Sequence, residues 1–237
     1  MRDIISIPLT STESLIISSD NSGGIGMKAG DHVQGSYETV AYYSFRVAAM
    51  ECIAAGGVPV SVVLHNFCGE HTWSELIKGI QKGLAELNLE DVPITGSTES
   101  NFQLQQSALG LVVLGKKFLS KNSDKTFSKD LKFAVIGSPL VGNEVLENGD
   151  QVIPLSIFSE VMKLDEIIVW PVGSKGILYE FNQMFTSKEF TKEMLHTKLD
   201  VLKSSGPATC CIIAYEQAQE KKLKKIAAGY YHFITVK

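Results

Sequence analysis

The chain has 237 residues, 44% of them hydrophobic and 20% charged, which is enough to build the core of one large or two small globular domains. Its 20 Gly and 7 Pro are dispersed without a short period, so collagen-like and low-complexity architectures are excluded. A net charge of −4 lacks the basic face that nucleic-acid binding needs, and no nucleic acid is expected as a partner.

Met1 to Pro8 carries an acid at its third position and a Pro where the apolar core of a secretion signal would run, so a cytoplasmic protein is expected. Glu13 to Ser19 reads as a strand entering the polar loop Asp20-Asn21-Ser22-Gly23-Gly24-Ile25-Gly26. Tyr37 to Ala55 contains neither Pro nor Gly and sets Val40, Tyr43, Val47 and Met50 at helical spacing before the stop at Gly56-Gly57. Val60 to Leu64 predicts a strand, followed by the polar turn His65 to Thr72. Thr72-Trp73-Ser74-Glu75 has capping-box form, and Trp73, Ile77, Ile80, Leu84 and Leu87 follow on one helical stripe. Val92 to Thr95 predicts a strand leading into Gly96 to Asn101, and Ala108 to Gly115 another. The apolar runs from Ala108 to Leu114 and from Ala208 to Ala214 are far short of the roughly 18 residues of a membrane span. No membrane partner is expected.

The polar stretch from Phe118 to Asp130 divides an N-terminal domain, 1–118, from a C-terminal one, 131–237. The second half predicts a strand over Lys132 to Ile136, a helix over Ile157 to Leu164, and a strand over Ile167 to Val172 that ends at Gly173-Ser174-Lys175-Gly176. A helix marked by Ile177, Leu178, Phe181 and Met184 starts beside that loop. The end reads as a βαβ unit: strand Thr209 to Ala214, helix Glu216 to Ala227, strand Tyr230 to Val236. Lys221 to Lys225 follow Glu216 and Glu220 in the order that suits a solvated helix face. Cys52, Cys68, Cys210 and Cys211 contain no C-x-x-C and read as reduced, buried thiols.

Asp20, Asp31, Glu38, Glu51 and Glu99 mostly lie in or beside loops leaving strands. Carboxylates placed there suit Mg²⁺, a hard cation that takes a few carboxylates together with phosphate oxygens. Glu51 sits inside the apolar segment Val47 to Ala54, so it is paired, metal-bound or at the solvent edge of its helix. Gly23 and Gly24 serve either a plain turn or a close approach of backbone to phosphate. Lys175 and its flanking glycines form either an anion site or an ordinary helix cap. His65 and Asn66 are candidates for holding a substrate or moving a proton, with packing roles as the alternative. The P-loop, Rossmann, protein-kinase and G-x-S-x-G motifs are absent.

In order, these segments resemble the AIR synthase-like (PurM-like) superfamily over nearly the whole chain. Ser19-Asp20-Asn21-Ser22-Gly23-Gly24 is similar to its strand and metal-binding Asp-Gly loop. Met50 to Pro59 resembles its helix with an acid eight positions before a turn Pro, and Gly79 and Gly83 its glycine-containing second helix. Ile94-Thr95-Gly96-Ser97-Thr98 takes the place of its Gly-Gly-Glu/Asp-Thr motif, and Ser205-Gly206-Pro207 with the final strand-helix-strand resembles its C-terminal end. The resemblance implies a two-domain α+β fold in which the N-terminal sheet dimerises into a β-barrel, binding Mg²⁺ and ATP, beside a smaller α+β domain.

Carried over by position, Asp20 and Glu51 would be metal ligands and Gly96 and Thr98 would line the phosphate loop. Ser97 replaces the acid of that motif, so Glu99 becomes a candidate ligand, with Glu38 as another. Within the superfamily, Ser19 to Gly23, His65-Asn66-Phe67 and Ile94 to Asn101 most resemble the α-ribazole kinases of Firmicute cobalamin salvage. That implies a homodimeric enzyme transferring the γ-phosphate of ATP to a hydroxyl of a nucleoside-like substrate. Asp20, His65 and Asn66 would act at the reaction, and Gly23, Gly24, Gly96, Ser97, Thr98 and Lys175 would face the nucleotide. An ATP-dependent cyclo-ligase and a nucleotide-binding paralogue without catalysis are the rival readings.

Overall fold

In the computed structural model, which describes residues 4–118 and 130–237, two units are each built on a five-stranded sheet. The expected inter-domain segment over 118–130 lies, for 119–129, outside the described residues.

The first unit runs β1 (Ile4–Pro8), β2 (Glu13–Gly23), β3 (Ile25–Gly26), β4 (Val33–Gln34), α1 (Tyr37–Ala54), β5 (Val58–Asn66), α2 (Trp73–Glu86), β6 (Ile94–Thr98) and β7 (Ala108–Phe118). Its sheet has the order β1-β2-β7-β5-β6, antiparallel throughout except for β5 and β6. A parallel pair needs a crossover, and α2 supplies it. β1 and β6 are open edges, so the sheet does not close into a barrel within this chain.

α1 starts at Ser36, whose hydroxyl accepts from the Thr39 N–H at 3.2 Å. It covers one sheet face: Ser18 Oγ donates to the Ala48 carbonyl at 2.7 Å, and Phe45, Ala48, Ala49, Met50 and Cys52 are fully buried. The helix is apolar nearly all round because the sheet lies on one side of it and α2 on the other. Gly79 sets the α1–α2 approach, since a Cβ there would stand 2.1 Å from the Glu38 carbonyl oxygen. Leu76, Ile80 and Leu84 form the buried stripe of α2. The expected capping box does not form. Thr72 Oγ1 instead donates to the Gly69 carbonyl at 2.8 Å, because the preceding turn folds back on it. Among the described residues of this unit no helix covers the other sheet face: Leu15, Ile17, Val63, Val112 and Leu114 are half-buried, and Ile5 and Ile7 are exposed.

The second unit runs β8 (Lys132–Ile136), α3 (Asn143–Glu147), α4 (Leu155–Met162), β9 (Ile168–Pro171), α5 (Gly176–Met184), β10 (Leu195–His196), β11 (Cys211–Tyr215), α6 (Glu220–Ala227) and β12 (Tyr231–Val236). Its sheet, β10-β12-β8-β11-β9, is antiparallel throughout. β11 and β12 flank β8 and are joined through α6, the split βαβ arrangement expected for the tail. Phe133, Phe181, Phe185 and Phe190 pack edge-on in its core, with 5.0 Å between the Phe133 and Phe181 rings. Glu220 and Lys224 pair along α6, as their order predicts. All four cysteines are buried and none is in a disulfide. Among the described residues no helix is long and apolar enough to cross a membrane.

Candidate functional site

β2 does not stop before Asp20. It pairs with β7 down to Gly23 opposite Ala108, so Asp20 is a strand residue rather than the start of a loop. Side chains alternate along a strand, and Asp20 therefore shares the α1 face with Ser18. There the Ser44 hydroxyl and the Asn21 N–H donate to its carboxylate, yet burial dominates and pushes its pKa up from 3.8 to about 6. Ser22, next on the same face, has a buried hydroxyl without a hydrogen-bond partner among the described residues.

The register across the sheet sorts the remaining candidates. Ser22, Leu109, Asn66 and Thr98 form one row on the α1 face, and Asn21, Gly110, His65 and Ser97 form the adjacent row on the uncovered face. His65 and Asp20 thus lie on opposite sides of the sheet, because their partners Gly110 and Leu111 are consecutive on β7. Gly96 and Thr98 are likewise strand residues. Gly96 shares a row with Asp20, and three inter-strand steps set the two about 14 Å apart. A Cβ on Gly96 would meet the Leu64 carbonyl oxygen at 2.0 Å, so this glycine admits the neighbouring strand.

The carboxylates are dispersed. Glu38 is exposed in the first turn of α1 while Glu51 is half-buried 13 residues on, about 20 Å along the helix axis, so the two cannot share an ion. Glu51 is also seven residues from Ser44, about 10 Å along the axis from the residue that touches Asp20. Glu99 Oε1 accepts from the Asn101 and Phe102 N–H groups at 2.7 and 3.2 Å and so caps its own loop. Among the described residues no group of three or more His, Cys, Asp or Glu could hold a metal ion.

Asn66 is 1% exposed, and its side chain is fully used. Nδ2 donates to the Gly69 carbonyl at 3.0 Å and to Thr98 Oγ1 at 3.1 Å, while Oδ1 accepts from the Cys68 N–H at 2.8 Å and lies 3.4 Å from Thr72 Oγ1. It fastens the loop after β5 to the end of β6. Asp31, Ser107 and Lys28 fasten the glycine turn in the same way. Asp31 accepts from the Ser107 N–H at 2.6 Å, the Ser107 hydroxyl at 2.7 Å and the Lys28 N–H at 2.9 Å. Partial burial works against the Asp31 carboxylate, but these donors and the Lys28 charge outweigh it and hold its pKa below the usual range. Gly24 adopts φ +69° and bonds through its N–H to the Ser107 carbonyl at 2.8 Å; Gly23 has open space where a Cβ would be.

Beyond the ends of β5 and β6 these pinned loops frame an open cavity of about 520 Å³, lined among others by Lys28, Phe67, Glu70, Glu99 and Phe102. Ser44, Lys28, Ser107 and Phe102 were not singled out from sequence. Phe102 left a signal there, as a lone aromatic in a polar Ser/Asn/Gln loop. In the second unit, Lys175 precedes α5 and its Nζ lies 3.1 Å from Tyr179 Oη, over the same ring. Ser205 and Thr209 bond each other at 2.7 Å, and Thr209 donates to the Ser138 carbonyl at 2.8 Å, which ties the Ser205-Gly206-Pro207 turn to the end of β8.

No protein-family model and no curated protein matches the chain. Solved structures do. In a HypE–HypF complex the matched chain is 15% identical with a TM-score of 0.62, over 98% of this chain and 87% of that one. E. coli HypE, a hydrogenase maturation protein, is 10% identical with a TM-score of 0.62, over 93% of this chain and 78% of that one. T. maritima PurL complexed with ADP is 12% identical with a TM-score of 0.62, and this chain spans 42% of its length. The shared feature is the fold, a mixed α+β architecture common to this chain and these structures.

Proposed function

We propose that the chain is an ATP-dependent small-molecule kinase that transfers the γ-phosphate to a hydroxyl of a nucleoside-like acceptor. α-Ribazole, phosphorylated at its 5′-hydroxyl in cobalamin salvage, is the acceptor the sequence resemblance favours. The observation that carries the reading is Asp20. It is a half-buried carboxylate with a raised pKa, two and three residues before Ser22 and Gly23, in a fold whose PurL member has been solved with ADP, AMPPCP and ATP.

Mg²⁺ suits this donor set in one respect. Asp20 and the unpartnered Ser22 hydroxyl are hard oxygen donors on one face of β2, and such an ion takes one or two carboxylates with the rest from phosphates. When bound, the ion neutralises phosphate charge. Asp20 and Ser22 would hold it. Gly23, with open space where a Cβ would stand, would let a phosphate oxygen approach the backbone, while the Gly24 N–H is already bonded to the Ser107 carbonyl and Asn66 positions the neighbouring loop. His65 and Ser97 lie on the uncovered face, which a second copy covers in the homodimer that this reading includes. Glu38, Glu51, Glu99 and Lys175 receive no role with Asp20.

The test is ³¹P NMR of the purified protein with Mg²⁺, ATP and α-ribazole. A new phosphomonoester signal with ADP and no free phosphate is expected. Free phosphate with a ring-closed product would favour the cyclo-ligase instead, and unchanged ATP the paralogue without catalysis.

A further inference from the structure

We propose that the cavity beyond β5 and β6 binds a flat heteroaromatic ring, neutral or cationic, between Phe67 and Phe102. Three features of the site converge on this. At about 520 Å³ it has the size of a small-molecule site. Its aromatic walls are open rather than spent on the core: Phe102 is 77% exposed and Phe67 40%, with Leu104 beside them at 43%. Its walls are also fixed in advance. Lys28 Nζ donates to the carbonyls of Phe67, Leu104 and Gln106 at 3.3, 3.0 and 3.4 Å, so one side chain joins the loop after β5 to the loop before β7. Glu99 caps the turn that carries Phe102, and Asn66 ties the loop after β5 to the end of β6. Polar groups spent on holding two surface loops apart are what a preformed pocket requires.

Charge decides against a phosphate in the same space. The ammonium of Lys28 already faces three carbonyl oxygens, and the lining otherwise carries the carboxylates of Glu70 and Glu99 against the single imidazole of His71. That combination repels an anion and favours a ring bearing N–H, hydroxyl or cationic character, stacked on an aromatic face. The ring is then the acceptor's base. This identification rests on the kinase reading, whereas ring binding itself needs no ATP.

The test is calorimetric titration of the full chain, without nucleotide, using α-ribazole, benzimidazole and adenosine as ring probes and ribose 5-phosphate as an anion without a ring. The ring probes are expected to bind and ribose 5-phosphate to be rejected. Phe102→Ala should weaken ring binding about tenfold and Phe102→Tyr should restore it, since stacking is lost and regained while an exposed side chain leaves the fold unchanged. Ring binding undiminished in Phe102→Ala, binding of ribose 5-phosphate in preference to the rings, or no binding of any ring probe to the unaltered chain would each overturn the proposal. ADP formation with α-ribazole is scored separately: ADP without ring binding removes the cavity's role and keeps the kinase, and ring binding without ADP does the reverse.

Discussion

Asp20 and Asn66 are both polar residues near strand ends, and the structure gives them different physics. A carboxylate whose pKa rises on folding favours the protonated folded form. That stabilisation is complete below pH 3.8 and is lost as pH rises through about 6. The gap corresponds to about 3 kcal/mol. Asp20→Asn keeps the bond from Ser44 and removes the buried charge, so it should raise the melting temperature at pH 8 and give no gain at pH 4, as thermal denaturation at the two values would show. The same variant should lower turnover by orders of magnitude; wild-type rates would end the metal role of Asp20. Affinity of the metal-free protein for Mg²⁺ should itself decline as pH falls through about 6, as titration with the ion would show, because protonation of Asp20 removes the ligand. Asn66→Ala leaves several buried partners unsatisfied and should cost about 2–4 kcal/mol in chemical denaturation. His65→Ala, on an exposed residue one position earlier, should stay within about 0.5 kcal/mol of wild type. Equal losses from the two would contradict the bracket role of Asn66.

At the scale of elements, pairing and close approach decided what periodicity left open. The glycines of the second helix and of Gly96 to Thr98 were legible as family-like positions, but their work here is steric. Gly79 brings α2 against the backbone of α1, and Gly96 brings β6 against β5. Alanine at either site meets backbone rather than a movable side chain and should cost at least about 1–3 kcal/mol, read as a fall in melting temperature. Gly23→Ala is the control, with nothing within 4 Å of the added Cβ. It should melt as wild type does. If it also loses nucleotide affinity in titration with ATP, Gly23 acts by admitting phosphate; retained affinity would remove that role.

For the molecule as a whole, the uncovered face of the first sheet is the outstanding feature. Leu15, Ile17, Val112 and Leu114 alternate with fully or largely buried neighbours on the α1 side, so this sheet is apolar on both faces while the described residues of its own unit cover only one. A second copy laid on that face would complete the two-sided burial. Light scattering is expected to give a dimer at micromolar concentration, and Ile17→Glu a monomer with an unchanged circular dichroism spectrum. A monomeric wild type would remove the dimer from the reading of function.

The sequence by itself determined the elements: the apolar helix before Gly56-Gly57, the stripe of α2, the strand-helix-strand tail and the buried cysteines. These follow from local periodicity and backbone stops, which act over a few residues. Only the tertiary structure decided which candidates meet. Strand register put Asp20 and His65 on opposite faces, helix rise parted Glu38 from Glu51, and three long-range brackets, made by Asn66, Asp31 and Lys28, shaped the cavity. The side-chain brackets alone join residues up to 78 positions apart, as in Lys28 with Gln106, and no local pattern encodes them.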